Sequence, residues 1–296
     1  MEAIELQESL TLEELFEEFV MYLRMKDYSE YTVSAYRADF NIYLAYLDTI
    51  KTSHSLDKFT AKKVRQFTVY LKMKNYTSST ISRKINFLRS FTKFCINEDY
   101  LTENPMKKVE VPKKERKVPI YLSNDELERL LATPVKLSEK TALYIFAFTG
   151  IRRQELVNLN LEDIDLENNL LTVRNGKGKK DRVIPINQRL KDVLQSYLIH
   201  RPKVDHNALM VGLYKGKIST TALHNIFQRN LAKSGIRKEG LSIHKIRHSF
   251  ATLLLHNHVE LVTIQQLLGH QDLSTTQVYA HTNMDILRKA VNNFDF

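Results

Sequence analysis

The second half of this 296-residue chain contains four short stretches whose side chains could bind and react with a phosphate group. They are rich in arginine, lysine and histidine, and the last also holds a tyrosine. The stretches are TGIRRQEL (149–156), NGKGKKD (175–181), SIHKIRHSFAT (242–252) and LLGHQDLSTTQVYAHT (267–282). Phosphodiester transfer needs donors for the non-bridging oxygens, a nucleophile and an acid for the leaving oxygen. Together the four stretches supply all three.

Two of these stretches place their polar residues at helical spacing. Arg152 precedes Glu155 by three residues, so one helical turn would let the carboxylate orient the guanidinium. His244, Arg247 and His248 stand at i, i+3 and i+4, which puts them on one helical face. The two histidines also have the spacing of a helical zinc pair. The residue after the first of them is a lysine rather than a glutamate, so the metalloprotease pattern fails.

The other two stretches hold a lysine in a turn and a tyrosine near a helix start. Lys177 lies between two glycines in a turn signal, where a hairpin tip could carry it into a DNA groove. Gly269 predicts a helix end beside His270, and the serine–threonine run that follows predicts the cap of a new helix, with Tyr279 on its second turn. Taken singly, each residue has an ordinary explanation: a solvated turn lysine or a half-buried aromatic ring.

The elements that must position these residues are mainly helices. In the first third, apolar residues at steps of three and four predict four helices, at about 11–25, 29–47, 61–74 and 77–95. Cys95 lies on the apolar face of the fourth helix and is expected in the core.

Beyond residue 120 the pattern is mixed. Helices are predicted at 123–133 and 140–148, and β-branched runs predict strands at 169–174 and 182–186 with a turn between them. From about Leu190 onward the pattern is again helical.

The positive charge is clustered rather than scattered. The chain has a net charge of +10. Residues 49–97 contain eleven lysines and arginines but one acidic residue, Asp57, and this excess runs through two predicted helices. Arg83, Lys84 and Lys93 fall off the apolar stripe of the fourth helix, so we expect them on a basic outer face. A clustered basic surface predicts a polyanionic partner.

A basic, proline-containing stretch at 103–122 predicts a domain boundary, because proline blocks helix continuation and lysine-rich sequence rarely packs. The predicted organisation is an N-terminal helical domain at 1–106, a basic linker at 107–118 and a second domain at 119–296.

Several classes of protein are excluded by the same sequence. The single cysteine excludes an intrachain disulfide and a cysteine-based zinc site. The N-terminus is acidic and there is no long apolar run, which predicts a cytoplasmic protein with no membrane partner.

The ordered set Arg152, Lys177, His244, Arg247, His270 and Tyr279, in the motifs quoted above, closely resembles the tyrosine recombinase (phage integrase) family, and the size and layout look most like its Xer-type members. The resemblance covers nearly the whole chain. It implies a mainly α fold: a four-helix, SAM-like core-binding domain, then a mixed α/β catalytic domain with a small three-stranded antiparallel sheet and a C-terminal tail helix. The two domains would form a C-shaped clamp on DNA.

The resemblance also implies a role for each residue of the set. Tyr279 would be the nucleophile, leaving a 3′-phosphotyrosyl enzyme, and Arg152 and Arg247 would bind the non-bridging oxygens. The remaining assignments are Lys177 as acid for the 5′ oxygen, His244 for proton transfer at the nucleophile, His270 as a phosphate donor and Glu155 as the group holding Arg152. No cofactor, metal ion or ATP is implied.

The implied partner is double-stranded DNA with a short inverted-repeat core site, bound by a homo-tetramer or by a hetero-tetramer with a related recombinase. The C-terminal tail, residues 284–296, would dock on the neighbouring protomer or else pack on its own domain. Candidate DNA contacts are Lys62, Lys63, Arg83, Lys84, Lys93, Lys113, Lys114 and Arg229.

Three functions stay open at this point. The first is site-specific recombination through a Holliday junction, for dimer or cointegrate resolution or for integration and excision of a mobile element. The second is strand relaxation of the topoisomerase IB kind, and the third is a non-catalytic DNA-binding regulator. Arg153 departs from the family pattern, in which a smaller or uncharged residue is more usual, and its role is open.

Overall fold

The structure is a computed structural model that describes residues 10–112, 120–174 and 181–269. The chain divides into two compact units, Met1–Lys117 and Val118–Phe296. Within the described ranges, each unit buries its own hydrophobic core.

The N-terminal unit is built from four helices, α1 (Leu12–Met25), α2 (Glu30–Thr49), α3 (Ala61–Met73) and α4 (Ser78–Asn97). Each begins after a serine or threonine whose side-chain oxygen accepts a hydrogen bond from a backbone N–H of the first turn. These caps are Thr11, Ser29, Thr60 and Thr77. The four helices predicted from the sequence are confirmed. They could be predicted because the caps and the apolar steps of three and four residues are local signals.

The four helices also end alike, and none of them uses glycine to do so. The second residue after each helix has a positive φ, and the N–H of the next residue donates to the carbonyl five residues back. The positive-φ residues are Asp27, Lys51, Asn75 and Asp99. The left-handed conformation costs a non-glycine residue about 1 kcal/mol, which the extra hydrogen bond offsets.

Aromatic rings fill the core of this unit. Phe16 of α1 stacks on Phe40 of α2 with ring centroids 4.1 Å apart, and meets Phe87 of α4 edge-on. Cys95 is buried, as predicted, and burial raises the pKa of its thiol to about 12. Each buried ring contributes about 1.5–3 kcal/mol, so the packing of these helices is well determined.

The basic face predicted for α4 is only partly exposed. Lys84 is 2% exposed, and its Nζ donates to the buried carboxylate of Asp39 at 2.7 Å. Arg83 donates to the same carboxylate with both Nη atoms, while its side chain stays half exposed. The expectation that Lys84 lies on the outer face was wrong, because α4 packs against three other helices and Asp39 of α2 gives the ammonium a partner inside.

Replacing Asp39 by alanine should therefore destabilise the N-terminal unit. The change leaves a buried lysine without its carboxylate, which typically costs about 3–5 kcal/mol. Urea unfolding of the full chain, followed by the transition of this unit, measures the loss. Glu17→Ala is the matched control because Glu17 pairs with Arg37 at the surface, where an ion pair contributes about 0–1 kcal/mol. Equal losses in the two variants would contradict the expectation.

Part of the predicted linker packs on the N-terminal unit. After a 3₁₀ turn at Pro105–Lys108, Val109 is buried in the core of this unit, and its carbonyl accepts a 2.7 Å hydrogen bond from Arg89. The carbonyl of Pro112 accepts one from Ser82. The apolar residues interspersed among the lysines therefore hold 107–112 in place.

The C-terminal unit contains seven helices in its described ranges: α5 (Asn124–Ala132), α6 (Leu137–Thr149), α7 (Arg153–Asn158), α8 (Gln188–His200), α9 (Thr220–Lys233), α10 (Ile243–His256) and α11 (Leu261–Leu268). Helix α6 is buried on most sides and packs against α8 and α10. This packing brings the ends of α6 and α11 toward α10.

Three short strands form an antiparallel sheet in the order β1 (Ile164–Asp165), β2 (Leu170–Val173), β3 (Arg182–Pro185). Leu171 pairs with Ile164 on one side and with Ile184 on the other. The predicted mainly α fold with a small three-stranded sheet is confirmed. The turn at 175–180 and the predicted tail helix lie outside the described residues.

The described ranges contain neither a membrane-spanning helix nor a cluster of metal-binding side chains. No helix among them is long and apolar enough to cross a membrane. They also contain no cluster of three or more histidine, cysteine or acidic side chains that could hold a metal ion.

Candidate active site

The junction of α6 and α7 positions the first arginine. Gly150 ends α6 with a φ of 59°, and the chain then turns so that Arg152 is the N-cap of α7. A Cβ added at Gly150 would lie 2.5 Å from Cδ1 of Phe250, so a larger residue does not fit. The glycine thus allows both the left-handed turn and the close approach of α10.

Glu155 holds Arg152 from one helical turn away. Its Oε2 accepts the backbone N–H of Arg152 at 2.7 Å, and its Oε1 accepts Nη1 of Arg152 at 2.8 Å. The Arg152 side chain remains 25% exposed, so other donors of the guanidinium can meet a ligand. The contact between Glu155 and Arg152 expected from their spacing is present.

A further arginine, not assigned from the sequence, completes this cluster. Arg182, the first residue of β3, donates to Glu155 with Nη1 at 3.0 Å and Nη2 at 2.7 Å, and with Nε to the carbonyl of Leu267 at 2.9 Å. Its side chain is 9% exposed. The signal was weak: an arginine opening a short strand after a lysine-rich turn reads as one more basic turn residue.

The two arginines keep Glu155 ionised. Burial by itself raises the pKa of this carboxyl, but the hydrogen bonds and charge of Arg182, together with the hydrogen bonds from Arg152, lower the pKa to about 2. Glu155 is therefore a carboxylate at any pH near neutrality.

Arg247 of α10 joins the ends of two other helices. It is buried, and it donates to the carbonyl of Gly150 through Nη1 at 2.8 Å and to that of Leu268 through Nη2 at 2.6 Å. Arg182 and Arg247 thus bind adjacent carbonyls at the end of α11. A continuous chain of contacts links the end of α6, the start of α7, β3, α10 and α11.

His244 lies one turn before Arg247 on α10 and keeps part of its surface exposed, while the rest of the side chain is covered. Burial of its ring, then the positive charges of Arg247, Arg152 and Lys245, lower its pKa below the usual value. The ring is therefore neutral at pH 7 and able to accept a proton. The His248 ring lies 5.2 Å away, edge to face.

The described cluster is cationic. Three arginines and one glutamate leave it with a net charge of +2, since arginine stays protonated in proteins. Planar guanidinium groups match the oxygens of a phosphate, and Arg152 keeps donors that are exposed. The arrangement can therefore bind a phosphodiester and stabilise added negative charge on it.

Three members of the predicted set, Lys177, His270 and Tyr279, lie outside the described residues, as do Lys113 and Lys114. The structure does describe Gly269, which ends α11 with a φ of 64°. A Cβ on Gly269 would lie 3.0 Å from Cδ of Arg182. The residue just before His270 is thus packed against the arginine cluster.

The other candidate DNA contacts have mixed surroundings. Lys62 and Lys93 are exposed. Nζ of Lys63 donates to Oγ1 of Thr52, and Arg229 donates to the buried carboxylate of Glu139, with half of its side chain exposed. Their contact with DNA remains a prediction.

Gly150→Ala should weaken the C-terminal unit and the site together. The new methyl group overlaps Phe250 and must adopt a positive φ, which we expect to cost about 2–4 kcal/mol in unfolding free energy. Thermal unfolding measures the change. In the control Gly235→Ala, φ is 68° but nothing lies within 4 Å, so only the backbone cost of about 1 kcal/mol applies. A loss no larger than that of the control would contradict the predicted overlap.

Comparison with known proteins shows the family. The model of the phage integrase family matches residues 121–285, and that of the phage integrase N-terminal SAM-like domain matches residues 16–99. This chain belongs to the phage integrase family.

Its relatives include Xer recombinases. The chain is 33% identical to tyrosine recombinase XerD of Staphylococcus saprophyticus, covering 96% of this chain and 99% of the relative. It is 34% identical to tyrosine recombinase XerC of Oceanobacillus iheyensis, with 94% and 95% covered. A crystal structure of the XerH site-specific recombinase bound to palindromic difH substrate shares the fold, with a TM-score of 0.75, 24% identity, and 94% of this chain and 83% of that chain covered. The prediction of an Xer-type tyrosine recombinase is confirmed.

Proposed function

We propose that this tyrosine recombinase exchanges DNA strands at a specific site through a 3′-phosphotyrosyl intermediate and a Holliday junction. The observation that carries the proposal is the cationic cluster of Arg152, Glu155, Arg182 and Arg247 with a neutral His244 beside it, in a chain of this family. A DNA-binding regulator needs neither a buried arginine cluster nor a proton acceptor.

The arginines would bind the scissile phosphate. Arg152 offers donors that Glu155 does not use, and Arg247 would turn toward the second non-bridging oxygen when DNA arrives. Charge that builds on these oxygens in the pentavalent transition state is then stabilised by the two guanidinium groups. We assign His270 as a further donor to a phosphate oxygen.

The reaction balances without an external energy source. Oη of Tyr279 attacks phosphorus and the bond to the 5′ oxygen breaks, giving a 3′-phosphotyrosine and a free 5′-hydroxyl. The phenol proton passes to neutral His244, and Lys177 gives a proton to the leaving oxygen. Because one phosphodiester is exchanged for another, the same site can rejoin the strand to a different 5′-hydroxyl.

The proposed substrate is double-stranded DNA with a short inverted-repeat core, located in the cytoplasm. Four copies of the chain, or two of it and two of a related recombinase, would hold two such sites together. The palindromic substrate of the XerH structure supports a two-fold site. Exposed lysines such as Lys62 and Lys93 would contact phosphates, so binding should weaken steeply with added salt.

Two experiments test this function. Footprinting on DNA that flanks the gene of this protein locates the site. Supercoiled plasmids carrying one or two copies of that site are then incubated with the protein in EDTA without ATP. We expect deletion or inversion products from the two-site plasmid only. Relaxation of the plasmid without recombinant products, independent of site number, would instead indicate a topoisomerase, and binding with no strand breakage would indicate a regulator.

A further inference from the structure

We propose that Arg182 is a positioning residue for the phosphate clamp: it holds Glu155, and through Glu155 it fixes the guanidinium of Arg152. This inference rests on the function proposed above, and it assigns a role to a residue outside the six-residue set.

The first argument is geometric. Each carboxylate oxygen of Glu155 accepts one bond from each arginine: Oε1 from Nη1 of Arg152 and Nη1 of Arg182, and Oε2 from the backbone N–H of Arg152 and Nη2 of Arg182. When one arginine binds both oxygens of a carboxylate, the orientation of that carboxylate toward a second arginine is fixed. Arg182 therefore sets the plane in which Glu155 meets Arg152.

The second argument concerns charge. Without Arg182, Arg152 and Glu155 would form a neutral pair, and a neutral pair attracts a phosphate weakly. With Arg182 the three side chains carry a net charge of +1, so the carboxylate can orient Arg152 without cancelling the positive charge of the site. The strongly lowered pKa of Glu155 agrees with this arrangement.

The third argument is the second attachment of Arg182. Its Nε donates to the carbonyl of Leu267, while Arg247 donates to that of Leu268. One buried side chain thus connects the group that holds Arg152 to the helix end beside Arg247. Movement of Arg182 would change the spacing between the two arginines that we assign to the phosphate.

The test uses the full-length protein and a duplex nicked beside the cleavage position, so that covalent product accumulates. At saturating DNA we expect Arg182→Met to lower the single-turnover cleavage rate about 10- to 100-fold, because misplacement of a catalytic group has effects of this size. Arg182→Lys keeps the charge, but a lysine cannot bind the two carboxylate oxygens of Glu155 and the carbonyl of Leu267 at once. Its cleavage rate should therefore lie between those of the wild type and Arg182→Met. Arg189→Met is the matched control. This variant removes a half-exposed ion pair in which Arg189 donates two hydrogen bonds to Glu128. Its cleavage rate should stay within about twofold of the wild-type rate.

Two further readouts separate positioning from a merely structural role. Glu155→Gln should slow cleavage, and adding Arg182→Met to it should slow cleavage little more, since the two residues act in series. A substrate with sulfur in place of the leaving 5′ oxygen needs no acid, since thiols have a pKa of about 8.5. It should restore a Lys177→Met variant but leave the Arg182 variants slow.

The outcomes are distinct. If the wild-type protein gives no covalent product, the proposed function fails. If the wild type cleaves and Arg182→Met cleaves equally fast, or if the defects of Arg182→Met and Glu155→Gln multiply, this inference alone fails. Rescue of the Arg182 variants by the sulfur substrate would also overturn it, since their defect would then lie in protonation of the leaving group. Should Arg182→Met fail to fold by thermal unfolding, Arg182→Lys carries the same comparisons.

Discussion

A Tyr279→Phe variant is expected to bind its DNA site as tightly as the wild type and to form no covalent complex with it. The substitution removes a single oxygen, the atom that we propose attacks phosphorus, and keeps the ring that fills the same space. Attack requires alignment of the nucleophile with the leaving oxygen, so a water molecule or an unaligned hydroxyl should not replace the phenol. The loss should therefore be complete within detection.

Denaturing gel electrophoresis of the protein with a radiolabelled nicked duplex measures this, and a mobility-shift assay measures binding in parallel. Tyr214→Phe is the matched control: it removes the same atom from a tyrosine that is 98% exposed in the same unit, and covalent complex should form normally. A covalent complex in the Tyr279→Phe variant would exclude Tyr279 as the nucleophile.

The second large effect is expected from Arg152→Gln. Glutamine can keep a hydrogen bond to Glu155 but brings no positive charge and no planar pair of donors to the phosphate. Removal of one such donor typically costs about 10²- to 10³-fold in rate. Because Arg152 acts mainly on the transition state, the cleavage rate at saturating DNA should fall far more than the affinity does.

The neighbouring arginine provides the control. Arg153 is exposed and comes one position later, so Arg153→Gln makes the same change in charge beside the site. Single-turnover cleavage of this variant should remain within about threefold of wild type if the residue does no more than attract DNA. Equal defects in the two variants would mean that general positive charge, rather than the clamp held by Glu155, speeds cleavage.

Much of the fold could be predicted from the sequence because its signals are local. The N-caps at Thr11, Ser29 and Thr77 and the three- and four-residue steps of apolar side chains lie within one or two helical turns. Strand β1 was harder to locate, since two residues give no alternation, and its pairing with β2 depends on tertiary contacts.

The candidate site was predictable in part. Arg152, Glu155, His244 and Arg247 stand within two short motifs. The structure brings Arg152, Glu155 and Arg247 into one chain of contacts through Arg182, and it places His244 where the charges of the arginines lower its pKa. Arg182 was missed and Lys84 was placed on the wrong face for the same reason. The carboxylate partner of Arg182 is 27 positions away in the chain and that of Lys84 is 45 positions away. A basic residue that is buried against such a distant carboxylate cannot be distinguished, from the sequence alone, from a solvent-exposed one.

Because two arginines share the carboxylate of Glu155, the net charge of this group does not change with pH near neutrality. Glu155 takes up a proton only near pH 2, and the arginines stay protonated far above neutrality. The charges of this group are therefore constant over the physiological pH range. A change of pH around neutrality thus leaves the grip on the phosphate as it is. His244 loses its ability to accept a proton once acid protonates it, so a falling pH should slow the proton transfer while the charges that hold the phosphate stay as they are.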